Sequence, residues 1–291
     1  MSSKVAYVTG SNSGVGSALV LALAKQGFNV WATMRTVAKG DALVESAKAA
    51  GLSELITIDQ CDVSNDASVT ESFERLYSKF DHIDVLINNA GYCVFGSVEL
   101  LSMDAMKAQF ETNFFGVIRT IKAVMPKMRA QRSGKIINIS SVGGIWGQPF
   151  NDVYCASKFA VEGMGESQAA LFREFGVYIT NVEPGAIRTK FGANAQRPQN
   201  IPEDYQPHVA STIAVYTKGA SNKGYSQSPE EVADIVVEKV VNVERPPFRL
   251  PTNPVIQGVF DMQLKDTTGE AGVAAGKARF LTPPATAEPT K

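Results

Sequence analysis

The chain has 291 residues, a hydrophobic share of 44% and a formal net charge of −1. That size and apolar share suit a single α/β catalytic domain with a core able to enclose a ligand. The near-neutral charge argues against electrostatic capture of nucleic acid or an anionic membrane, and no apolar run is long enough to span a bilayer.

Apolar, β-prone runs alternate with longer segments of helical period. A strand over 5–9 leads into a helix over 15–26, a strand over 29–33 into a helix over 41–50, and a strand over 55–61 into a helix over 66–80. Next come a strand over 85–88 and a long helical segment, 103–131, which Pro126 is expected to kink or interrupt. A strand over 135–140, a helix over 154–175 and a strand over 178–182 follow. A helix over 229–242 and a weaker strand over 248–250 complete the pattern. Ser64 or Asn65, then Ser102, then Ser228 ahead of Pro229-Glu230-Glu231, supply helix starts. Strands this apolar have both faces covered, and the alternation predicts a doubly wound parallel sheet of about seven strands with helices on both faces.

One catalytic domain is expected over 1–265. The stretch 192–227 is irregular, with prolines at 197, 202 and 207; it reads either as a lid over ligand or as a passive surface excursion, and its length favours the lid. The Ala/Pro/Thr-rich tail, 266–291, is expected to be flexible. The N-terminal MSSKVAYVTG enters a strand directly, with no room for a signal peptide before it. Cys61, Cys93 and Cys155 are an odd count without metal-like spacing. They suggest reduced thiols in a cytoplasmic setting, and no metal is expected. His82, in the polar turn DHID, reads as a solvated surface residue.

Gly10, Gly14 and Gly16 lie between the first strand and the first helix. Glycines there allow a tight turn and close approach of backbone to a pyrophosphate, which the helix N-terminus attracts. Ser11, Asn12, Ser13 and Val15 belong to the same loop. The second strand ends Ala32-Thr33-Met34-Arg35, with no carboxylate for a ribose 2′-hydroxyl. Arg35 is either a solvated arginine or the partner of a 2′-phosphate, so NADP(H) is preferred over NAD(H). Asp62, after the third strand, either accepts from an adenine amino group or caps a local turn. Asn89, Ala90 and Gly91 end the fourth strand, where small residues admit a cofactor and an amide braces the neighbouring loops.

Tyr154 and Lys158 are spaced i, i+4 and share one helix face. A nearby lysine cation lowers a tyrosine pKa, which suits proton transfer to or from an alcohol oxygen. Ser141, at the end of the fifth strand, is placed to hydrogen-bond a substrate oxygen. No Gly-x-Ser-x-Gly elbow supports serine hydrolysis.

TGSNSGVG at 9–16, CDV at 61–63, NNAG at 88–91, Asn113 in TNFFG, Ser141, Tyr154, Lys158 and Pro184-Gly185-x-x-x-Thr189 occur in that order. Together they resemble the short-chain dehydrogenase/reductase family, in its single-domain branch. The resemblance implies a Rossmann-like fold, with Tyr154 as general acid/base and Lys158 lowering its pKa and binding the nicotinamide ribose. It makes Ser141 the residue that orients the carbonyl and Asn113 the holder of a relay water near Lys158. Ser140 is a competing serine, but the family spacing favours Ser141. Val63, Pro184, Gly185, Ile187 and Thr189 join the implied cofactor site, the last two near the carboxamide. The segment 141–163, with TMR at 33–35, is similar to the estrogenic 17β-hydroxysteroid and photoreceptor-type retinol dehydrogenases within that family. This similarity fades after about residue 190.

Ligands in such sheets lie beyond the strand carboxyl ends. The substrate side is therefore expected to include Tyr92, Val94, Trp146 and Phe150 beside Ser141 and Tyr154, and to take a bulky hydrophobic ketone or secondary alcohol. Trp146 and Phe150 serve equally well as loop packing. The family also implies a homodimer or homotetramer through the helical segments 103–131 and 154–175. An epimerase or dehydratase of the extended branch is the rival enzyme reading, and an NADP-sensing protein the non-enzymatic one.

Overall fold

A computed structural model of the chain describes residues 3–265 and the isolated position 278. The expected flexible tail, 266–291, lies outside the described residues apart from that position. The apolar runs form seven strands: β1 Val5–Thr9, β2 Asn29–Met34, β3 Ile56–Gln60, β4 Val85–Asn88, β5 Gly134–Ile139, β6 Val177–Glu183 and β7 Arg249–Pro251. They make one parallel sheet in the order β3-β2-β1-β4-β5-β6-β7.

Alternation along each strand divides the core in two. Ala6 and Val8 of β1 pack with Leu19 and Leu23 of α1 (Gly14–Lys25) and with Val232 and Val236 of α8 (Pro229–Val236). Val5 and Tyr7 face the other way, onto Phe73 and Leu76 of α3 (Asp66–Tyr77), Ile121 and Val124 of α5 (Gly116–Gln131) and Val161 of α6 (Asp152–Arg173). With both faces of the central strands buried, several strands read as almost wholly apolar, and the polar residues they carry have partners within the fold. The order reverses between β1 and β4, so the carboxyl ends of these strands open the crevice where such sheets bind ligands.

The long helical segment begins as α4 (Met103–Phe110), passes through a π turn at Glu111–Phe115 and continues as α5. Of the kink or interruption expected at Pro126, the interruption is not found: the proline lies inside a continuous α5. Its side chain is exposed, so the carbonyl it deprives of a partner faces solvent and can be hydrated. Asn65 rather than Ser64 caps α3, Ser102 caps α4, and Ser228 with Glu231 forms a capping box on α8. The stretch read as irregular contains a helix, α7 (Gln206–Ser221), and α9 (Pro254–Lys265) follows β7. A helix α2 (Asp41–Ala49) lies between β2 and β3.

His82 is not the solvated residue expected from its turn. Its ring bonds Asp81 at 2.6 Å and the Ser3 carbonyl at 3.0 Å, and its side chain is 22% exposed. The Asp81 hydrogen bond holds its pKa above the ordinary histidine value.

Candidate active site

The glycine loop is built so that no side chain fits between its turns. A Cβ on Gly10 would lie 2.8 Å from Ala90 Cα, and one on Gly16 would lie 2.4 Å from both Asn89 Nδ2 and the Gly10 carbonyl oxygen. Gly10 and Gly14 also have φ of 65° and 58°, a region that favours glycine. Asn89 Nδ2 donates to the Thr9 and Gly10 carbonyls, each at 3.0 Å, while Thr9 Oγ1 accepts from the Asn89 and Ala90 amides. The fourth-strand end therefore braces the loop, as the amide in that motif implied. Ser13, at the N-cap of α1, makes no side-chain cap bond. The first-turn amides are thus left to an outside acceptor, and the cradle fits a dinucleotide pyrophosphate. Ser11 is fully buried and its hydroxyl donates to the Val8 carbonyl, which makes its side chain part of the loop's scaffold. Asn12 is half-buried, and Val15 is buried in the core with α1.

The other predicted cofactor residues lie around this cradle. Arg35 is exposed just past the end of β2, and its charge acts on Tyr92. Asp62 Oδ1 accepts from the amide and hydroxyl of Ser64, the local turn anticipated as one of its two roles. Val63 packs where a Cβ of Gly116 would fall. The Pro184 carbonyl accepts from the Val142 amide, tying the β6 end to the β5 end. Gly185 lies against Ile256 of α9, Ile187 bridges to Gln227, and the Thr189 methyl approaches the Gly14 position at 3.4 Å. Loop and β6 extension thus face each other across one cleft.

The proposed catalytic residues converge in this cleft. Ser141 acts on the Tyr154 hydroxyl, whereas Ser140 turns toward Glu162. Lys158 Nζ is 5.8 Å from the Tyr154 ring centre and donates to the Ile139 carbonyl at 2.7 Å. Asn113 lies on the π turn, and its amide is fully occupied: Nδ2 donates to the Tyr92 carbonyl and Ser157 Oγ, and Oδ1 accepts from the Tyr92 amide. A Cβ on Gly91 would lie 3.1 Å from Asn113 Oδ1 and 3.9 Å from Lys158 Nζ, so this glycine keeps the space beside the lysine open. Burial raises the Tyr154 pKa well above its ordinary value, opposed by the Ser141 hydrogen bond. Burial, and not the lysine expected to lower it, sets the direction of the tyrosine's shift. Burial also pulls Lys158 down to about 8, with the Glu162 charge opposing.

On the substrate side, Tyr92 and Val94 pack with Leu101 and Val153. Phe150 is buried, has a φ of 61° that strains a non-glycine residue, and stacks on Phe95 at 5.6 Å. Val209, Ile213 and Tyr216 of α7 close over this pair, and Tyr216 bonds Gln148 and Asn151. Trp146 is buried. Ile145 packs against Ile256 and Phe260 of α9.

Two features escaped the sequence. Phe191 meets the Tyr154 ring edge-on at 5.8 Å, a residue whose place depends on the chain's path after Thr189. A hydrogen-bonded row also crosses the sheet: Thr120 to Asn88, Asn88 to Asn138, Asn138 to Asn181 and Asn181 to Glu162, at 2.6–2.9 Å. Asn88, Asn138 and Asn181 stand in register on β4, β5 and β6. One asparagine at the same place in each of three strands is the signal that could have found it.

Residues 4–200 match the family described as short chain dehydrogenase. Retinol dehydrogenase 8 of Bos taurus is 37% identical over 91% of this chain and 86% of its own. 17-beta-Hydroxysteroid dehydrogenase type 1 of Homo sapiens is 34% identical over 94% of this chain and 85% of its own. Among solved structures, a short-chain dehydrogenase from Streptomyces avermitilis is 27% identical, with a TM-score of 0.80 over 96% of this chain and 98% of its own. Neighbours are found with either dinucleotide: one from Burkholderia phymatum (24% identical, TM-score 0.79, 92% and 95% covered) in complex with NAD, and a metagenomic one (25%, 0.68, 86% and 97%) with NADP. The chain belongs to the short-chain dehydrogenase/reductase family and is an oxidoreductase of CH–OH groups.

Proposed function

We propose that the protein moves hydride between NADP(H) and a bulky, hydrophobic ketone or secondary alcohol. The convergence of Ser141, Tyr154 and Lys158 beside the glycine cradle carries this reading. The bound dinucleotide supplies or accepts the hydride. Tyr154, kept protonated by its burial, donates a proton to the carbonyl oxygen in reduction and recovers it in oxidation. Ser141 orients that oxygen and steadies the charge that develops on it. Lys158 holds the nicotinamide ribose and favours the phenolate when the proton has left. With its amide occupied, Asn113 serves a relay water through its backbone, which the π turn sets apart from the regular helix.

Arg35 supports NADP(H) over NAD(H), because no carboxylate stands at the β2 end and its guanidinium suits a phosphate dianion. Phe191, Trp146 and the aromatic wall under α7 support a large apolar substrate, as do the retinoid and steroid names of the relatives. The stretch 192–227 acts as the lid, with α7 as its rigid part. Exposed Phe115 and Phe159 support pairing of copies through the α5 and α6 region. A cytoplasmic setting is proposed on the reduced state of all three cysteines, each buried and free.

The test is NADPH oxidation against all-trans-retinal, estrone, acetophenone and decanal. Turnover concentrated on the first two supports the reading. Turnover confined to decanal contradicts the bulky-ring substrate, and none on any member contradicts the reductase assignment within these classes.

A further inference from the structure

One helical turn beyond Lys158, Glu162 lies on the same face of α6, and the two are 7% and 4% exposed. A Cβ on Gly144 would stand 3.0 Å from Glu162 Cγ and 3.3 Å from the Lys158 carbonyl, so the loop after Ser141 presses on both residues. The asparagine row gives Glu162 a fixed chemical duty. Thr120 donates to Asn88 Oδ1, which turns each following amide so that its nitrogen points to the next residue. Every donor runs in one direction, and the row ends with Asn181 Nδ2 donating to Glu162 Oε2 at 2.8 Å. Such a row requires an acceptor at its end, and a carboxylate is the strongest one available.

The groups facing Glu162 come from four elements. Lys158 lies on its own helix, Ser140 beyond β5, Asn181 and Glu183 on β6, and Arg249 on β7, with its Nε 3.8 Å from Oε2. Glu166 holds the other end of Arg249 at 3.0 Å. Glu183 is fully buried, and its Oε2 accepts from the Leu250 amide. The Glu162 charge acts against a second charge on Glu183, so ionising both buried acids is disfavoured. Arg249 acts on both acids, whereas Glu162 also has the Asn181 amide donor and the Lys158 cation, so the proton stays on Glu183.

Resting on the reading of Lys158 as a catalytic residue, we propose that Glu162 is a positioning residue whose buried carboxylate keeps Lys158 charged, with Glu183 beside it as a neutral acid. Burial pulls Lys158 down to about 8 against the Glu162 charge, and it pushes Glu183 up to about 9. Without the Glu162 charge, the lysine would lose its proton closer to neutrality, where it must hold the ribose and stabilise the phenolate.

The test compares wild type, Glu162→Gln, Glu162→Asp and Glu183→Gln in two pH profiles: NADPH affinity by fluorescence, and carbonyl reduction with all-trans-retinal or estrone. Glu162→Gln keeps an acceptor for Asn181 and removes the charge, so its alkaline limb should move at least about one pH unit lower. Near pH 8.5 that is roughly a tenfold loss, with little change near pH 6.5. Glu162→Asp, which keeps the charge, and Glu183→Gln, which replaces a neutral acid, should leave the limb in place. A loss in Glu162→Gln that is uniform with pH would show a merely structural role and overturn the proposal. So would a limb that moves in Glu162→Asp or in Glu183→Gln, and the latter decides the matter if Glu162→Gln does not fold. Failure of turnover throughout would defeat the functional reading instead, while the NADPH profile would still report the lysine.

Discussion

Substituting alanine for Gly16 probes the dinucleotide cradle where it is tightest. The added methyl would stand 2.4 Å from the Gly10 carbonyl oxygen and 2.4 Å from Asn89 Nδ2. Neither neighbour can step aside freely. One is backbone, and the other donates to two carbonyls of the same loop. Overpacking costs about 1–3 kcal/mol, and each weakened hydrogen bond adds roughly 0.5–1.5 kcal/mol. A destabilisation of about 2–6 kcal/mol is therefore expected from urea melts read at constant m. Relief of the clash moves the start of α1 away from Gly10, so NADPH affinity by fluorescence titration should fall at least about tenfold, or ~1.4 kcal/mol. Gly14→Ala is the internal comparison. Its Cβ meets only the Thr189 methyl at 3.4 Å, an ordinary contact, and its φ of 58° costs about 1–2 kcal/mol. It should be the milder of the two in the melt. A Gly16→Ala protein with wild-type stability and NADPH affinity would refute the argument that the loop closes on itself to receive the pyrophosphate.

Three further outcomes are expected. Arg35→Asp should weaken NADPH binding and shift preference toward NADH, and an unchanged NADPH affinity would remove the 2′-phosphate from the account. Burial pushes the Glu183 carboxyl up to about 9, from an ordinary value near 4.5. The folded state binds more protons between those values, so wild-type stability falls as pH rises through the window. The stability of Glu183→Gln relative to wild type should accordingly rise from pH 5 to pH 8 in paired melts, and a difference independent of pH would show the acid to be ionised in the fold. The raised His82 pKa acts in the sense of a stabilised cation: its contribution is complete below about 6.5 and lost as pH rises through the folded value. His82→Gln should therefore be more destabilising at pH 5.5 than at pH 8, and the opposite order would contradict the Asp81 pairing.

The parts of the fold that were legible are those where local pattern and tertiary role coincide. The strands were legible because several are almost wholly apolar under helices on both faces, and the ends of all seven, the weaker last one included, fell within a residue or two of the observed bounds. The glycine loop and the Tyr154–Lys158 spacing were legible because sequence neighbours carry them. The helix α7 was not, since prolines dominate the stretch before it and its apolar residues answer to Phe95 and Phe150, far away in the chain. Nor was α9, whose Ile256 is fixed by Gly185 and Ile145. His82 looked solvated because its partner at Ser3 lies 79 residues away. The lysine was expected to lower the tyrosine pKa, whereas burial, which has no local signature, dominates both groups.

The most direct test of the central claim is Tyr154→Phe, assayed for NADPH binding and for NADPH oxidation with all-trans-retinal and estrone. The substitution removes the hydroxyl on which Ser141 acts and leaves the ring against Phe191. The account predicts NADPH affinity within about twofold of wild type and turnover lower by roughly 10²–10⁴. Turnover close to that of the wild type would contradict Tyr154 as the proton donor, and with it the chemistry assigned to this site.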